Sequence, residues 1–357
     1  MSLSLYDFLL NTTYSVQLVS ACTLLLGLSY LSVLVTRAFP ADSPRRRPLY
    51  VSKYTSWLAG DSADVHAVAQ PGLLLAGGST DQDDAMRWFL KRANGGDVVV
   101  IRASGANGYN KYLFSELGER VNSVETLLID SRAVAFDPEI VRKIRAAEAL
   151  FVAGGDQAAY VRFWKDSPVE DAINFLLNEK RVPVGGTSAG CCVLGGLFFD
   201  AFHDTVDSPT ALGNPYDEKV SVQNGGFLEA PFLKSTFADM HFTERNRLGR
   251  LVTFLARAVT DWHVTNVRGI GVDEKTALAI DETGGARVFG RGSVYLLEAL
   301  ASPVRCEAGK PLEWPGTDGK AVRATVLSPN ENFNVKTWKG RGKTAFYAVR
   351  NGELRRL

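Results

Sequence analysis

Val182-Pro183-Val184-Gly185-Gly186-Thr187-Ser188-Ala189-Gly190-Cys191-Cys192-Val193-Leu194 is the stretch from which the fold of this 357-residue chain is read. Val182 to Val184 has the length and apolarity of a short buried strand, and Cys191 to Leu194 opens a helix. Between them lies Gly186-x-Ser188-x-Gly190. A serine that must stand clear of a sheet needs a tight, strained turn, and only small neighbours permit one. The helix behind that turn would aim backbone N–H groups at negative charge developing near Ser188, with Ala189 N–H as one oxyanion donor. A structural or phosphate-binding glycine turn has the same local appearance. Against it, no Gly-Lys-Ser/Thr follows a glycine-rich loop, and Gly77-Gly78-Ser79-Thr80 lacks the third glycine of a dinucleotide fingerprint.

Outward from the elbow, apolar runs alternate with amphipathic stretches. Leu73 to Ala76 precedes Asp81 to Arg92, Val98 to Ile101 precedes Tyr109 to Leu117, and Leu127 to Ile129 precedes Pro138 to Ala146. Ala149 to Ala153 then leads into helices from about Ala158 to Asp166 and from Val169 to Glu179. This alternation predicts an α/β fold, a mostly parallel sheet with helices on both faces. Beyond Gly269 short strands (Thr276 to Ile280, Ala286 to Phe289, Ser293 to Leu297) predict a small antiparallel margin of the same sheet or a cap. The organisation expected is an amino-terminal segment over 1–40, a linker over 41–70, the α/β domain over 71–300 and a β-rich extension over 301–357.

Composition excludes several classes. With 46% hydrophobic and 22% charged residues the chain is expected to be globular rather than disordered. Forty basic against 39 acidic residues leave a net charge of +1, which argues against nucleic acid as a partner. Four cysteines, two of them adjacent, give neither a disulfide framework nor a metal spacing, so no metal and no cofactor are expected.

Val16 to Val35 carries no charged residue and has the length of a bilayer-crossing helix. It predicts a single-pass membrane segment. Arg37 and Arg45-Arg46-Arg47 on its carboxyl side favour a cytoplasmic catalytic domain. Cleavage in Ala38-Phe39-Pro40-Ala41, giving a secreted protein, stays open as the alternative.

A serine nucleophile needs a base, and the histidines are His66, His203, His241 and His263. His241 closes an apolar run and is followed by Arg245, Arg247 and Arg250, and a helix from about Thr243 would put Arg247 one turn from both Thr243 and Arg250. Clustered guanidinium groups suit a substrate carboxylate, and a solvated basic helix face is the plainer reading. His203 is the rival base. Cys191 and Cys192 read as small packing residues, with a thiol nucleophile as the lesser alternative.

Four motifs now stand in order: Gly154-Gly155-Asp156-Gln157, Gly185 to Gly190, Asp239-x-His241-Phe242-x-x-Arg245-x-Arg247-x-x-Arg250-Leu251, and Gly271-Val272-Asp273-Glu274-x-Thr276-Ala277. Together, over roughly Gly72 to Leu300, they resemble the cyanophycinase branch of the serine peptidases of family S51. The resemblance implies a class I glutaminase-like, flavodoxin-like α/β fold, a Ser-His-acid triad and cleavage beside aspartyl residues with release of β-Asp-Arg dipeptides. It places Ser188 as nucleophile, His241 as base and Glu274 as triad acid, with Asp204 and Asp207 as rivals. Gln157, Asp239, Arg245, Arg247 and Arg250 fall on its substrate-pocket positions, and Gly155 N–H is the candidate second oxyanion donor. A homodimer is a further expectation. Two departures bear on substrate: Met240 stands where the family tends to carry glutamine, and a longer interval around Ser208 to Val222 reads as an exposed loop able to cap the cleft. The alternatives are an aspartyl or isoaspartyl dipeptidase and a non-catalytic binding protein.

Overall fold

A computed structural model describes residues 54–329 and 331–357. Six strands build the first half of the domain: β1 (Thr55–Gly60), β2 (Gly72–Ala76), β3 (Asp97–Arg102), β4 (Ser123–Leu128), β5 (Ala149–Val152) and β6 (Pro183–Thr187). They lie in the order β1-β4-β3-β5-β6-β2, with β4, β3, β5, β6 and β2 mutually parallel and β1 antiparallel at the edge. The helices between them are α1 (Asp83–Arg92), α2 (Gly108–Lys111), α3 (Arg132–Ala135), α4 (Pro138–Ala146), α5 (Gln157–Trp164) and α6 (Pro168–Phe175).

Strand periodicity decides which helix covers which face. In β2, Leu74 and Ala76 point into a core with Phe89, Leu90 and Leu113 of the α1 and α2 region, while Leu73 and Leu75 join Ile140, Ile144, Trp164 and Ile173 from α4 to α6. Local chemistry starts the helices. Asp137 caps α4 by accepting the Glu139 N–H at 2.8 Å, with Pro138 in the first turn, and Asp156 caps α5 through the Ala158 N–H at 2.9 Å. Residues 55–60, expected to be linker, are the edge strand β1.

The carboxyl-terminal half departs further from expectation. After α7 (Ala189–Cys192) come β7 (Leu197–Phe199), α8 (Ser208–Gly213), β8 (Val222–Asn224), β9 (Thr236–Asp239), α9 (Leu248–Trp262), β10 (Arg268–Val272), β11 (Thr276–Asp281), β12 (Gly285–Gly290), β13 (Val294–Ala299), β14 (Val322–Leu327), β15 (Asn332–Asn334), β16 (Lys339–Gly340), β17 (Lys343–Arg350) and β18 (Glu353–Arg356). The antiparallel strands β11, β12, β15 and β16 extend the first sheet past β2. The others form a second sheet, β18-β17-β14-β13-β10-β9-β7-β8, parallel only across β10, β9 and β7. The fold is therefore mixed α/β, with a mostly parallel central sheet and antiparallel strands towards the carboxyl end. The margin is larger than expected and is shared between two sheets. In the second sheet Phe237 packs with Phe254 and Leu255 of α9, while Ala238, Ile270 and Val272 face the core of the first sheet.

Two local expectations are corrected. The helix expected from Thr243 begins at Leu248, because the Asp273 carboxylate takes both the N–H (3.0 Å) and the hydroxyl (2.6 Å) of Thr243 and holds 243–247 as a turn. Ser208 to Gly213, expected in an exposed loop, is α8, packed against α9 with Ser208, Ala211 and Leu212 buried.

The membrane-anchored localisation is also corrected. Among the described residues no helix is long and apolar enough to cross a membrane, and the stretch that suggested one, 16–35, lies outside them.

Trp164 is fully buried, stacks on Tyr160 at 4.2 Å and donates its indole N–H to Ile129 O at 2.9 Å. Trp164→Ala is expected to cost about 3–5 kcal/mol of stability, as read by chemical denaturation.

Candidate active site

At the carboxyl end of β6, Ser188 has φ +52° and ψ −119°, a backbone that side-chain-bearing residues rarely adopt. Its N–H is clamped to Ala76 O of β2 at 3.0 Å, and its carbonyl accepts from Cys191 N–H at 2.9 Å as α7 begins. The flanking glycines are required by space. A Cβ on Gly186 would stand 2.3 Å from Gly190 O, and one on Gly190 would stand 2.1 Å from Val152 O.

His241 follows β9 and also has positive φ, +47°. Its N–H donates to Gly77 O at 2.9 Å, and its ring lies over Gly78, where a Cβ would come within 2.6 Å of Cε1. Nε2 lies 2.9 Å from Ser188 Oγ, and Nδ1 lies 2.6 Å from Glu274 Oε1. With the Nδ1 proton donated to Glu274, Nε2 is left as an acceptor for the Ser188 hydroxyl. Glu274 sits in the turn between β10 and β11. Asp273 ties that turn to Thr243 and to Ser293 N–H (2.9 Å), and Lys275 N–H donates to Gly78 O at 3.1 Å.

The charges are set by these contacts. The hydrogen bond from His241 holds the Glu274 carboxyl below its ordinary range, so it is ionised at neutral pH. Burial pushes His241 below its ordinary value; the Glu274 hydrogen bond opposes this, and the charges of Arg245 and Arg247 add to it. The imidazole is therefore neutral at pH 7, the form that accepts a proton. Cys191 and Cys192 are fully buried behind the elbow, and burial pushes the Cys192 thiol up to about 12. Neither is presented as a nucleophile.

A cavity of about 410 Å³ opens over Ser188 and His241. Gly155, Gln157, Arg245 and Arg247 line it, and so do Asp156, Arg162, Asp204 and Thr205, which the sequence reading gave no binding role. Gly155 lines the cavity with Ser188 and Ala189 follows Ser188 in the chain, and among the described residues neither N–H is taken by a protein acceptor. Asp239 and Arg250 do not reach the cavity. They are 2% and 1% exposed and form a bidentate pair, Arg250 Nε to Oδ2 at 2.9 Å and Nη2 to Oδ1 at 2.5 Å. Arg250 also binds Thr205 Oγ1 and Val206 O, so the pair braces the wall from beneath. Arg247 gives only Nη1 to the protein, to Met240 O (2.7 Å), Met240 Sδ (2.8 Å) and Asp239 (3.4 Å). Burial lowers its guanidinium to about 10, still protonated at neutral pH. Of the rivals, Asp207 caps α8 through Thr210 N–H and His203 is exposed and outside the cavity, while Asp204 lines the cavity with its Oδ1 accepting from Thr205 N–H; His241 Nδ1 meets Glu274.

The model of peptidase family S51 matches residues 73–288, more than half of the chain. The chain belongs to peptidase family S51. It is a serine-type peptidase, a hydrolase whose substrates are peptides. Among curated relatives, the cyanophycinase of Synechococcus elongatus is 27% identical over 288 residues, covering 74% of this chain and 80% of the relative. The cyanophycinase of Nostoc sp. (strain PCC 7120) is 27% identical over 236 residues, covering 63% and 73% respectively. A solved peptidase from an acI-B1 Actinobacterium superposes with a TM-score of 0.48 at 15% identity, covering 74% of this chain and 97% of that one.

Removing the Glu274 charge destabilises the imidazolium. Glu274→Gln is therefore expected to lower kcat by roughly 10³- to 10⁴-fold. It is also expected to move the acid limb of kcat/KM to lower pH, because activity requires neutral His241. A pH–rate profile of both proteins reads the two effects. Asp239→Asn leaves two buried arginines without their carboxylate and is expected to cost about 3–5 kcal/mol in denaturant unfolding.

Proposed function

We propose that the chain is a cyanophycinase-like hydrolase that cleaves peptide bonds beside aspartyl residues through an acyl-enzyme on Ser188, releasing β-Asp-Arg-type dipeptides. The observation that carries this reading is the hydrogen-bonded series Ser188, His241, Glu274 at the edge of a cavity that presents both signs of charge. Arg245 and Arg247 offer guanidinium groups to a substrate carboxylate, and Asp156 and Asp204 offer carboxylates to a substrate guanidinium. A substrate carrying both groups meets partners for each.

In this mechanism Ser188 Oγ attacks the scissile carbonyl carbon while its proton passes to His241 Nε2. The carbonyl oxygen, now negative, is held by the Ala189 and Gly155 N–H groups. Collapse breaks the C–N bond, and the imidazolium returns the proton to the leaving amine, leaving an ester on Ser188. Water then attacks that ester, gives its proton to His241, and the second collapse restores the Ser188 hydroxyl. Glu274 orients the ring and stabilises the imidazolium in both halves.

One observation favours a preference for short peptides as the second reading. Met240 uses its carbonyl and sulfur to hold Arg247, where the family tends to carry a polar glutamine. A panel of cyanophycin, β-Asp-Arg, α-aspartyl and isoaspartyl peptides separates the two. Release of β-Asp-Arg from the polymer is expected, falling by about 10⁴-fold or more in Ser188→Ala and in His241→Ala. Turnover of dipeptides alone moves the assignment to a dipeptidase, and turnover that survives Ser188→Ala overturns the mechanism.

A further inference from the structure

The turn 242–247 separates two cavities. On its far side from Ser188 lies a second one, of about 470 Å³, formed where this turn meets β13, β14, β17 and β18. Arg247 lines both. The other cations in its wall, Lys343 and Arg356, are exposed, and among the described residues neither has a carboxylate within 4 Å. No Asp or Glu lines this cavity. The rest of its wall mixes aromatic, aliphatic and uncharged polar side chains: Phe242 and Tyr295 pack with ring centroids 4.9 Å apart, Tyr347 stands on β17, and Thr243, Asn246 and Leu248 come from the turn and the start of α9. Tyr295, Lys343, Tyr347 and Arg356 all lie beyond residue 288, outside the stretch matched by the S51 family.

Three cations that share one concavity repel one another, and the repulsion is relieved when an anion enters. Arg247 has two guanidinium nitrogens without a protein hydrogen bond, so it can meet a ligand on either side of the turn. We propose that this cavity is a carboxylate subsite that holds an acidic residue of the same peptide whose scissile bond lies at Ser188, with Arg247 as the shared wall. It rests on the reading above of a hydrolase that cleaves beside aspartyl residues, and adds to it a reason for chains with several carboxylates to bind better than those with one.

The test is binding without turnover. Full-length protein carrying Ser188→Ala is titrated calorimetrically with tetra-L-aspartate and with N-acetyl-L-aspartate. The tetrapeptide is expected to bind more tightly, and adding Lys343→Gln and Arg356→Gln, both at exposed positions, is expected to weaken it about tenfold while leaving the monomer unchanged. Arg120→Gln with Lys310→Gln removes the same net charge from exposed positions that line neither cavity, and is expected to change affinity by less than about twofold. Equal losses from the two pairs, or a tetrapeptide advantage that survives Lys343→Gln with Arg356→Gln, would overturn the proposal. Because the readout is affinity in a protein without Ser188, it is distinguishable from a failure of the hydrolytic mechanism, which is read by turnover.

Discussion

Everything at the candidate site depends on three backbones approaching where side chains have been omitted. Gly78 lies under the His241 ring, while Gly186 and Gly190 close the elbow against each other and against β5. Ser188 and His241 both occupy left-handed backbone, a strain of about 1–3 kcal/mol each that persists only where surrounding structure fixes it. Here that structure is explicit: Ala76 O holds Ser188 N–H, Gly77 O holds His241 N–H, and Gly78 O holds Lys275 N–H. The β2–α1 loop is thus the common support of the serine, the histidine and the turn that carries the glutamate.

Electrostatics divides the conspicuous charges into two layers. Asp239 and Arg250 are buried and bonded to each other, and an ion pair out of water is held by geometry rather than by net gain in free energy. Their work is to fix Arg247 and the Thr205–Val206 wall. Above them Arg245, Arg247, Asp156 and Asp204 face the cavity, where a substrate can complete their hydrogen bonds. Glu274 is between the layers: its side chain is 25% exposed, so the carboxylate stays ionised while bonded to a mostly buried imidazole.

Much of this was legible in the sequence because it depends on local pattern. The apolar runs at Leu73, Val98, Ala149 and Val182 fall on β2, β3, β5 and β6, and residue type and context single out the Ser188 elbow and His241 as candidates, whereas Glu274 was reached only through the family resemblance. What was missed depends on contacts between distant residues. Asp239 and Arg250 look like binding groups in the chain, and only tertiary packing shows their charges turned inward. The helix expected at Thr243 is displaced by Asp273, thirty residues away. The second sheet was hidden because β7, β8 and β9 are only three or four residues long, too short for a period to declare itself. Gly77-Gly78 was weighed only against a dinucleotide fingerprint, although a Gly-Gly pair just after a strand is itself a sign of close backbone approach.

The central claim is that Ser188 is activated by a neutral His241 held by Glu274. Intact-mass analysis of the protein treated with a fluorophosphonate, followed over pH, tests it most directly. The account predicts a single adduct, on Ser188, whose rate of formation rises with pH through a midpoint below the ordinary histidine value and is lost in His241→Ala. Labelling at another residue, or labelling of Ser188 at a rate indifferent to His241, would contradict it.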